Sequence, residues 1–167
     1  MLELREANLE DAEKEWEYIR DLPADENGFT NCNHGVEREK FMETVLPGFI
    51  NSANGINLIP GFVPETELFL WEGGKIVGLF RIRHELNETL RNGGGHIGYG
   101  IKKEFRGKGY AAKGLAMTIE KAKGIIKEDE IYMSVDIDNP ASLAVMLKNG
   151  AYIHHSDENE HYTRIKL

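Results

Sequence analysis

The stretch IGYGIKKEFRGKGYAAKGLA, residues 97–116, combines a predicted strand, a glycine-rich turn and the start of a helix. Apolar residues alternate with glycines over 97–101, a pattern that indicates a strand with one bare face. Gly107 and Gly109 then precede a helical apolar stripe, formed by Leu115, Ile119, Ala122 and Ile126. Such a turn presents free backbone N–H groups and the positive end of a helix to one point, which suits a pyrophosphate. The stretch therefore predicts an anion site at a strand-to-helix junction.

A tight hairpin is predicted upstream. The apolar runs 68–71 and 76–83 flank Gly73 and Gly74, which can adopt the positive φ angles that a two-residue turn requires. We therefore expect two antiparallel strands before the glycine-rich turn.

The first third of the chain carries weaker signals. Asn8 opens a helical pattern that Pro23 ends, with apolar positions Leu9, Ala12, Trp16 and Ile19. Residues 25–64 are rich in glycine and proline, with one possible helix over 37–45. Long regions of this kind often line binding sites, so we expect this one to contribute to substrate choice.

The last third alternates strands and helices. Residues 131–137 form a predicted strand that runs into Asn139-Pro140, a typical helix start, and the helix should end at Asn149-Gly150. Two strands, at about 151–155 and 161–166, complete the chain. The element order predicts one α/β domain over residues 1–167, with a mixed, mostly antiparallel sheet flanked by helices.

Composition excludes several classes of protein. A net charge of −8 opposes sequence-independent binding to nucleic acid phosphates. The start of the chain is acidic and no long apolar run follows, so we expect a cytoplasmic protein that neither spans nor binds a membrane. Cys32 is the only cysteine, so an intramolecular disulfide is impossible, and we expect no metal site.

Two other phosphate motifs do not apply. Gly93, Gly95 and Gly98 match G-x-G-x-x-G, but a strand follows them where the dinucleotide fingerprint requires a helix. The G-x-x-x-x-G-K-[ST] sequence of P-loop proteins is absent. The anion site must therefore belong to another class.

Residues 106–111, RGKGYA, resemble the R/Q-x-x-G-x-G/A signature of GNAT acetyltransferases, and NPASLAVMLKNGAY (139–152) resembles the second signature of that superfamily. RHELN (83–87) and GGHIGYGI (94–101) look like a bacterial subgroup of predicted acetyltransferases, which specifies no substrate. The resemblance is good over about residues 66–153. It implies acetyl-CoA as co-substrate and direct acetyl transfer to an amine, carried by a small molecule or a peptide.

The resemblance also implies site residues. A strand would run along the pantetheine arm and hold the thioester carbonyl through a backbone amide, the next turn would bind the pyrophosphate, and a later helix start would contact the pantetheine. The corresponding positions are Tyr99, Gly100 and Ile101 for the strand, Arg106, Gly107, Lys108, Gly109, Tyr110, Ala111 and Ala112 for the turn, and Asn139 and Ser142 for the helix.

One position departs from the family pattern. Many members carry a tyrosine seven residues after the asparagine, as the acid that protonates the departing CoA sulfur, but this chain has Met146 there. Tyr152 and Tyr110 are the candidate replacements. A thiol with a pKa of about 8.5 is also a tolerable leaving group without an acid.

The acceptor amine must lose a proton before it attacks, so a base is needed. His84 and His96 are the first candidates, because imidazole titrates near neutral pH. Structural roles within the sheet are the alternative for both histidines.

Substrate contacts are less sharply indicated. Arg83 could bind a substrate carboxylate or pair with surface acids, and Glu85 and Asn87 are further candidates. Asp136 and Asp138 could contact a cationic substrate, or belong to a solvated face or a helix-start loop.

Two other functions stay open beside acetyl transfer: a CoA-binding sensor without catalysis, and a partner-binding domain with a GNAT fold. A homodimer is also possible.

Overall fold

The computed structural model describes residues 1–167, which form nine strands, six helices, one π-helical turn and one 3₁₀ turn. The strands are β1 (Glu3–Glu6), β2 (Asp25–Glu26), β3 (Phe29–Thr30), β4 (Glu65–Glu72), β5 (Lys75–Arg83), β6 (Ile97–Ile101), β7 (Glu130–Asp136), β8 (Tyr152–Ser156) and β9 (Glu160–Lys166). The helices are α1 (Ala12–Asp21), α2 (Arg38–Lys40), α3 (Leu46–Ala53), α4 (Glu88–Arg91), α5 (Tyr110–Ala122) and α6 (Pro140–Lys148). The predicted α/β class is confirmed. None of the helices combines the length and the apolar character needed to cross a lipid bilayer.

The strands form two main sheets that meet at one point. One sheet has the order β1-β4-β5-β6 and the other β7-β9-β8, and every registered pair is antiparallel. A single bridge between Gly95 and Met133 joins them, just before β6 begins. Beyond this bridge β6 and β7 diverge, so a groove opens between the two sheets.

Helices cover both faces of the first sheet. Alternation along β5 sends Phe80 and Ile82 to the face covered by α5, where they share a buried core with Leu115, Ile119 and the β7 residues Met133 and Val135. Leu79 points to the opposite face and packs in a second core with residues of α1 and of the helix around α3, including Ile19, Phe41 and Leu46. The groove therefore has an α5 side and an α1 side.

The strongest local signals of the sequence are confirmed. Gly73 and Gly74 have φ angles of 56° and 74° in the β4–β5 turn. The Asn139 side chain accepts a hydrogen bond from the Ser142 amide at 3.2 Å and caps α6. Gly150 ends α6 with a φ angle of 89°.

The N-terminal part differs from the prediction in detail. Leu9, predicted on the buried stripe of α1, lies before the helix and is 72% exposed. The possible helix over 37–45 extends to Ala53 and passes Pro47, which follows a π-helical turn at Phe41–Val45. Proline has no backbone N–H, and its ring crowds the preceding turn, so it interrupts the hydrogen bonds of an α-helix. The hydrogen-bond pattern changes from α-helical to π-helical in the turn immediately before Pro47.

Candidate active site

A cleft of about 520 Å³ occupies the groove between β6 and β7. Its α5 side is lined by the glycine-rich turn and the start of α6. Its α1 side is lined by β5 residues and by the short β2–β3 hairpin. The cleft thus contains most of the positions that the sequence predicts for cofactor binding, namely Tyr99, Gly100, Ile101, Arg106, Gly107, Gly109, Tyr110, Ala111, Ala112, Asn139 and Ser142.

Strand β6 presents free backbone groups to this cleft. The Lys102 amide donates to Val77 O at 3.0 Å and the Arg83 amide to His96 O at 2.7 Å, so even-numbered residues of this segment bond to β5. Alternation then directs the N–H and C=O groups of Tyr99 and the N–H of Ile101 away from β5, toward the cleft, while the Ile101 carbonyl already accepts from Arg106 Nε. An extended ligand lying along β6 would find donors and acceptors there.

The Tyr99 side chain ties β6 to α6. Its hydroxyl lies 2.8 Å from Ser142 Oγ and donates to Ser142 O at 3.2 Å, and its ring stacks on Phe80 at 5.5 Å. Burial raises the pKa of Tyr99 to about 12, against the lowering effect of the Ser142 hydrogen bond. Tyr99 therefore stays neutral and fixes the width of the cleft on its α5 side.

The glycine-rich turn carries the free donors that the sequence predicts. None of the six consecutive backbone amides from Gly107 to Ala112 donates a hydrogen bond to another protein group. Gly107 and Gly109 both have a φ angle of 78°, and a Cβ at either would meet no atom within 4 Å. Because donors and free space coincide at the start of a 13-residue helix, the turn fits a pyrophosphate.

Two basic side chains near this turn have different roles. Arg106 donates from Nε to Ile101 O at 2.9 Å, and its Nη2 lies 2.6 Å from a Glu26 carboxylate oxygen. Lys108 is not a cleft residue; its Nζ lies 5.5 Å from the centroid of the Phe105 ring. The prediction of Lys108 as a cofactor contact is thus supported only through its backbone amide.

Met146 lines the cleft where the family tyrosine is absent. Its side chain is 3% exposed, and its sulfur lies 3.5 Å from the Thr163 hydroxyl of β9. Met146 packs in the core below the cleft and brings no acid to it.

Charged side chains line the α1 side of the cleft. Arg81 and Arg83 both face it. Arg81 donates from Nε to Glu67 at 2.6 Å, while Glu65 lies 3.7 Å from Arg81 and 3.8 Å from Arg83. Burial raises the pKa of Glu67. Burial also opposes the charge of Arg81, but Glu67 and Glu65 outweigh it and raise the pKa of the guanidinium.

The β2–β3 hairpin covers the α1 side. Its Asn27-Gly28 turn has φ angles of 54° and 81°, and Phe29 lies against the bare face of β6, where a Cβ on Gly100 would be 3.2 Å from the ring. A Cβ on Gly28 would lie 3.7 Å from the Asp136 carboxylate oxygens. The pKa of Asp136 is raised by burial and by the nearby Glu160, Asp138 and Asp25.

The structure does not support His96 as a base. It is fully buried at the junction of the sheets, and its Nδ1 accepts a hydrogen bond from the Tyr132 amide at 2.9 Å. Its Nε2 must then carry the proton, which it donates to Glu128 at 3.0 Å. With both ring nitrogens engaged, His96 is a structural histidine, and burial lowers its pKa.

His84 also lies outside the cleft. It follows the end of β5, and its Nε2 lies 2.7 Å from the Thr66 hydroxyl on the neighbouring strand. Burial lowers its pKa. The prediction of His84 as the base is therefore corrected as well.

Three further predicted residues are away from the cleft. Tyr152 donates its hydroxyl to Glu130 at 2.6 Å on the outer strand β8, and this bond raises its pKa. Glu85 is exposed beyond β5, and Asn87 caps α4 by accepting from the Leu90 amide at 2.8 Å. Of the predicted substrate residues Arg83 and Asp136 line the cleft, whereas Glu85 and Asn87 do not.

The prediction did not include Arg81, Phe29 or Glu26 among the site residues. Asn27-Gly28 is a strong hairpin signal and could have indicated that a turn projects from residues 25–30. Arg81 alternates with Arg83 among apolar β5 neighbours, which indicates charge on a covered face.

Comparison with known proteins decides the family. A family model described as an acetyltransferase (GNAT) domain matches residues 2–152. The chain belongs to the GNAT acetyltransferase family. Its enzyme class is therefore N-acetyltransferase, as the two sequence signatures predicted. No curated protein matches this GNAT sequence.

Solved GNAT structures share the fold at low sequence identity. A GNAT acetyltransferase from Streptococcus pneumoniae is 19% identical with a TM-score of 0.67, and the match covers 100% of both chains. The spermidine N-acetyltransferase of Vibrio cholerae, in complex with CoA and spermine, is 17% identical with a TM-score of 0.64, covering 99% of this chain and 95% of that one. Mycobacterium smegmatis RimJ, in complex with CoA-disulfide, is 20% identical with a TM-score of 0.67, covering 99% and 81%. At these identities the likeness shows the GNAT fold alone.

Proposed function

We propose that this GNAT enzyme transfers an acetyl group from acetyl-CoA to an amine by direct attack within the cleft. The observation that carries the proposal is the row of six free amides from Gly107 to Ala112 beside the open edge of β6. The amides would hold the pyrophosphate, and the edge of β6 would hold the pantetheine arm. The Tyr99 amide faces the cleft and would stabilise negative charge on the thioester oxygen.

Asp136 is the proposed proton acceptor. Of the three carboxylates that line the cleft, Glu26 pairs with Arg106 and Glu160 accepts from the Tyr162 hydroxyl at 3.1 Å. Asp136 has no hydrogen bond or ion pair through its side chain. It would take the proton from the acceptor ammonium, directly or through water, and we expect Asp136→Asn to lower kcat/KM by about 100-fold or more.

The departing sulfur has no evident acid at the usual position, because Met146 is a core residue. Of the two tyrosines considered as replacements, Tyr110 lines the cleft and Tyr152 does not. We propose that CoA leaves as a thiolate or takes a proton from Tyr110.

Thermal unfolding with acetyl-CoA tests the binding half of the proposal. At about 100 times the dissociation constant, acetyl-CoA should stabilise the protein by about 2.7 kcal/mol. Gly109→Trp should abolish this shift by filling the turn. Gly61→Trp is the matched control, because Gly61 also has a positive φ angle of 87° and open surroundings, but lies outside the cleft. The proposal would be contradicted if the stabilisation by acetyl-CoA survived in Gly109→Trp. It would also be contradicted if no acyl-CoA stabilised the parent protein.

Release of CoA with amines tests the catalytic half. A CoA-binding sensor is the second candidate function, since Met146 replaces the family acid. Binding of acetyl-CoA without amine-dependent release of CoA would favour that sensor. Acetyl and longer acyl thioesters should be compared in the same assay.

Cytoplasmic location, a homodimer, and the expected lack of nucleic acid, membrane and metal partners stay predictions. For a homodimer, the outer strand β8 is the surface at which we expect pairing, because one edge of β8 is unpaired and Tyr152 and Ile153 on it are 38% and 43% exposed. Sedimentation of the pure protein tests this.

A further inference from the structure

Opposite charges are separated across the α1 side of the cleft. Arg81 and Arg83 alternate with Phe80 and Ile82, which belong to the core under α5, so both arginines point to the opposite face. Asp136 likewise alternates with Val135, a member of that same core. The arginines on β5 and the carboxylate on β7 therefore face the same side of the groove, with the bare glycine face of β6 between them.

The positive charge of Arg83 is incompletely balanced within the protein. Its nearest carboxylate, Glu65, is 3.8 Å from Nε, and its Nη1 donates to the Gly95 carbonyl at 3.1 Å. Arg81, in contrast, makes a 2.6 Å ion pair with Glu67. The side chain of Arg83 is only 19% exposed, and burial together with Arg81 lowers its pKa. Such a guanidinium, lining a cleft, is suited to a ligand carboxylate.

The negative charge of Asp136 is unpaired as well. Its side chain makes no hydrogen bond and no ion pair, and the tip of the β2–β3 hairpin lies beside it at Gly28. Phe29 of the same hairpin covers the glycine face of β6. The space between the two charges is thus bordered by the Phe29 ring, and the Arg81 guanidinium, which is neutralised by Glu67, lies 5.3 Å from the centroid of that ring.

Resting on the proposed acetyl transfer, we propose that the acceptor is a zwitterion that carries both an amine and a carboxylate, bound with its carboxylate on Arg83 and its nitrogen toward Asp136. Neighbouring strands lie about 4.8 Å apart, so β5 and β7 are separated by about 10 Å at the junction of the sheets and by more toward Asp136, where β6 and β7 have diverged. A polyamine would place a second cation against Arg83, which like-charge repulsion opposes.

Matched amines with and without a carboxylate test the proposal. Lysine and cadaverine, phenylalanine and phenethylamine, and β-alanine and ethylamine are compared by release of CoA from acetyl-CoA. In each pair that reacts, the carboxylate-bearing amine should have a kcat/KM higher by about 10- to 100-fold, the value of one charge-assisted hydrogen-bonded contact. A ratio of one or below in every reacting pair overturns the proposal.

Two variants test whether Arg83 causes the preference for carboxylate-bearing amines. Arg83→Gln should remove the preference mainly by raising the KM of the carboxylate-bearing amines, while their decarboxylated partners keep their KM. Arg20→Gln is the matched control, because Arg20 pairs with Asp21 on the surface, and it should leave the ratio unchanged. An equal loss of kcat for both members of each pair in Arg83→Gln would show a merely structural role for Arg83 and overturn the proposal.

Binding measurements keep the two proposals distinguishable. The same pairs are titrated by calorimetry into the protein loaded with CoA. Tighter binding of the carboxylate-bearing members, lost in Arg83→Gln, supports the zwitterion even where turnover is slow, and equal binding overturns it. Failure of the protein to bind acetyl-CoA would instead overturn the proposed function itself.

Discussion

Replacement of His96 by phenylalanine separates a structural histidine from a catalytic one. Phenylalanine keeps a ring of similar size but can neither accept from the Tyr132 amide nor donate to Glu128. A buried amide without a partner costs about 1–3 kcal/mol, and a hydrogen bond to a charged group contributes about 1.5–3 kcal/mol. We therefore expect His96→Phe to lower the free energy of unfolding by about 3–5 kcal/mol.

Urea denaturation followed by tryptophan fluorescence measures this loss, since Trp71 is 3% exposed and reports on the core. For an m value of about 2 kcal/mol/M, the midpoint should fall by about 1.5–2.5 M. The midpoint should fall less in His96→Gln, because glutamine can still offer an acceptor and a donor. If His96→Phe kept the parent midpoint but lost turnover by orders of magnitude, His96 would be the base and the structural assignment wrong.

The pH dependence of stability gives a second test. Burial lowers the pKa of His96 below its ordinary value of 6.5, although Glu128 acts in the opposite direction. A depressed folded pKa means that the unfolded chain binds the proton more readily. The contribution of His96 is thus complete above about pH 6.5 and is lost as pH falls below it. His96→Phe should weaken this dependence below about pH 6.5 in urea titrations.

Three further variants have defined outcomes. Burial raises the pKa of Glu15 to about 8 from 4.5, so the contribution of its protonated form to stability is full below about pH 4.5 and is lost as pH rises through 8. In thermal unfolding, Glu15→Gln should therefore be more stable than the parent by at most about 3 kcal/mol at pH 7, and as stable as the parent near pH 4. Gly114→Ala would press a Cβ into the Phe80 ring and should cost about 1–3 kcal/mol in urea unfolding, whereas Gly124→Ala, whose Cβ would lie an ordinary 3.7 Å from the Lys121 carbonyl oxygen, should be neutral. Tyr152→Phe should keep the parent kcat in steady-state assays. A loss of kcat of about 100-fold would instead indicate that Tyr152 is the acid.

Local signals predicted most of the fold. Turn and cap residues such as Gly73-Gly74 and Asn139-Pro140 act through their own backbone, so their effect is readable from sequence. Strand β1 was not predicted, because three of the four residues of Glu3–Glu6 are charged and the segment is a strand only through its pairing with β4. That pairing joins residues more than sixty positions apart, which no local pattern records.

The candidate site, like the fold, could be predicted only where the local sequence determines the structure. The turn from Gly107 to Ala112 was predicted because free amides follow from its glycines and its position before a helix. The roles of His96 and Arg83 depend on partners far away in sequence, Glu128 and Glu65, and on which face of a strand is covered. A histidine beside a predicted strand is compatible with a base or with a core position, and only the structure distinguishes them here.

The separation of the two hydrogen-bonded sheets at Gly95 affects how cooperatively they open. The two sheets share one apolar core, since β4 and β5 residues pack with Ile131 and Ile165, but their hydrogen-bond ladders are joined at a single bridge. Opening of the ladder at that seam breaks few backbone hydrogen bonds, although the His96 bonds to Tyr132 and Glu128 must break with it, so we expect amides of the two sheets to exchange partly independently in the free protein. A ligand that bonds along β6 and also contacts α6 would span the seam. Amide exchange should then slow in both sheets together, including strands such as β8 that the ligand does not touch.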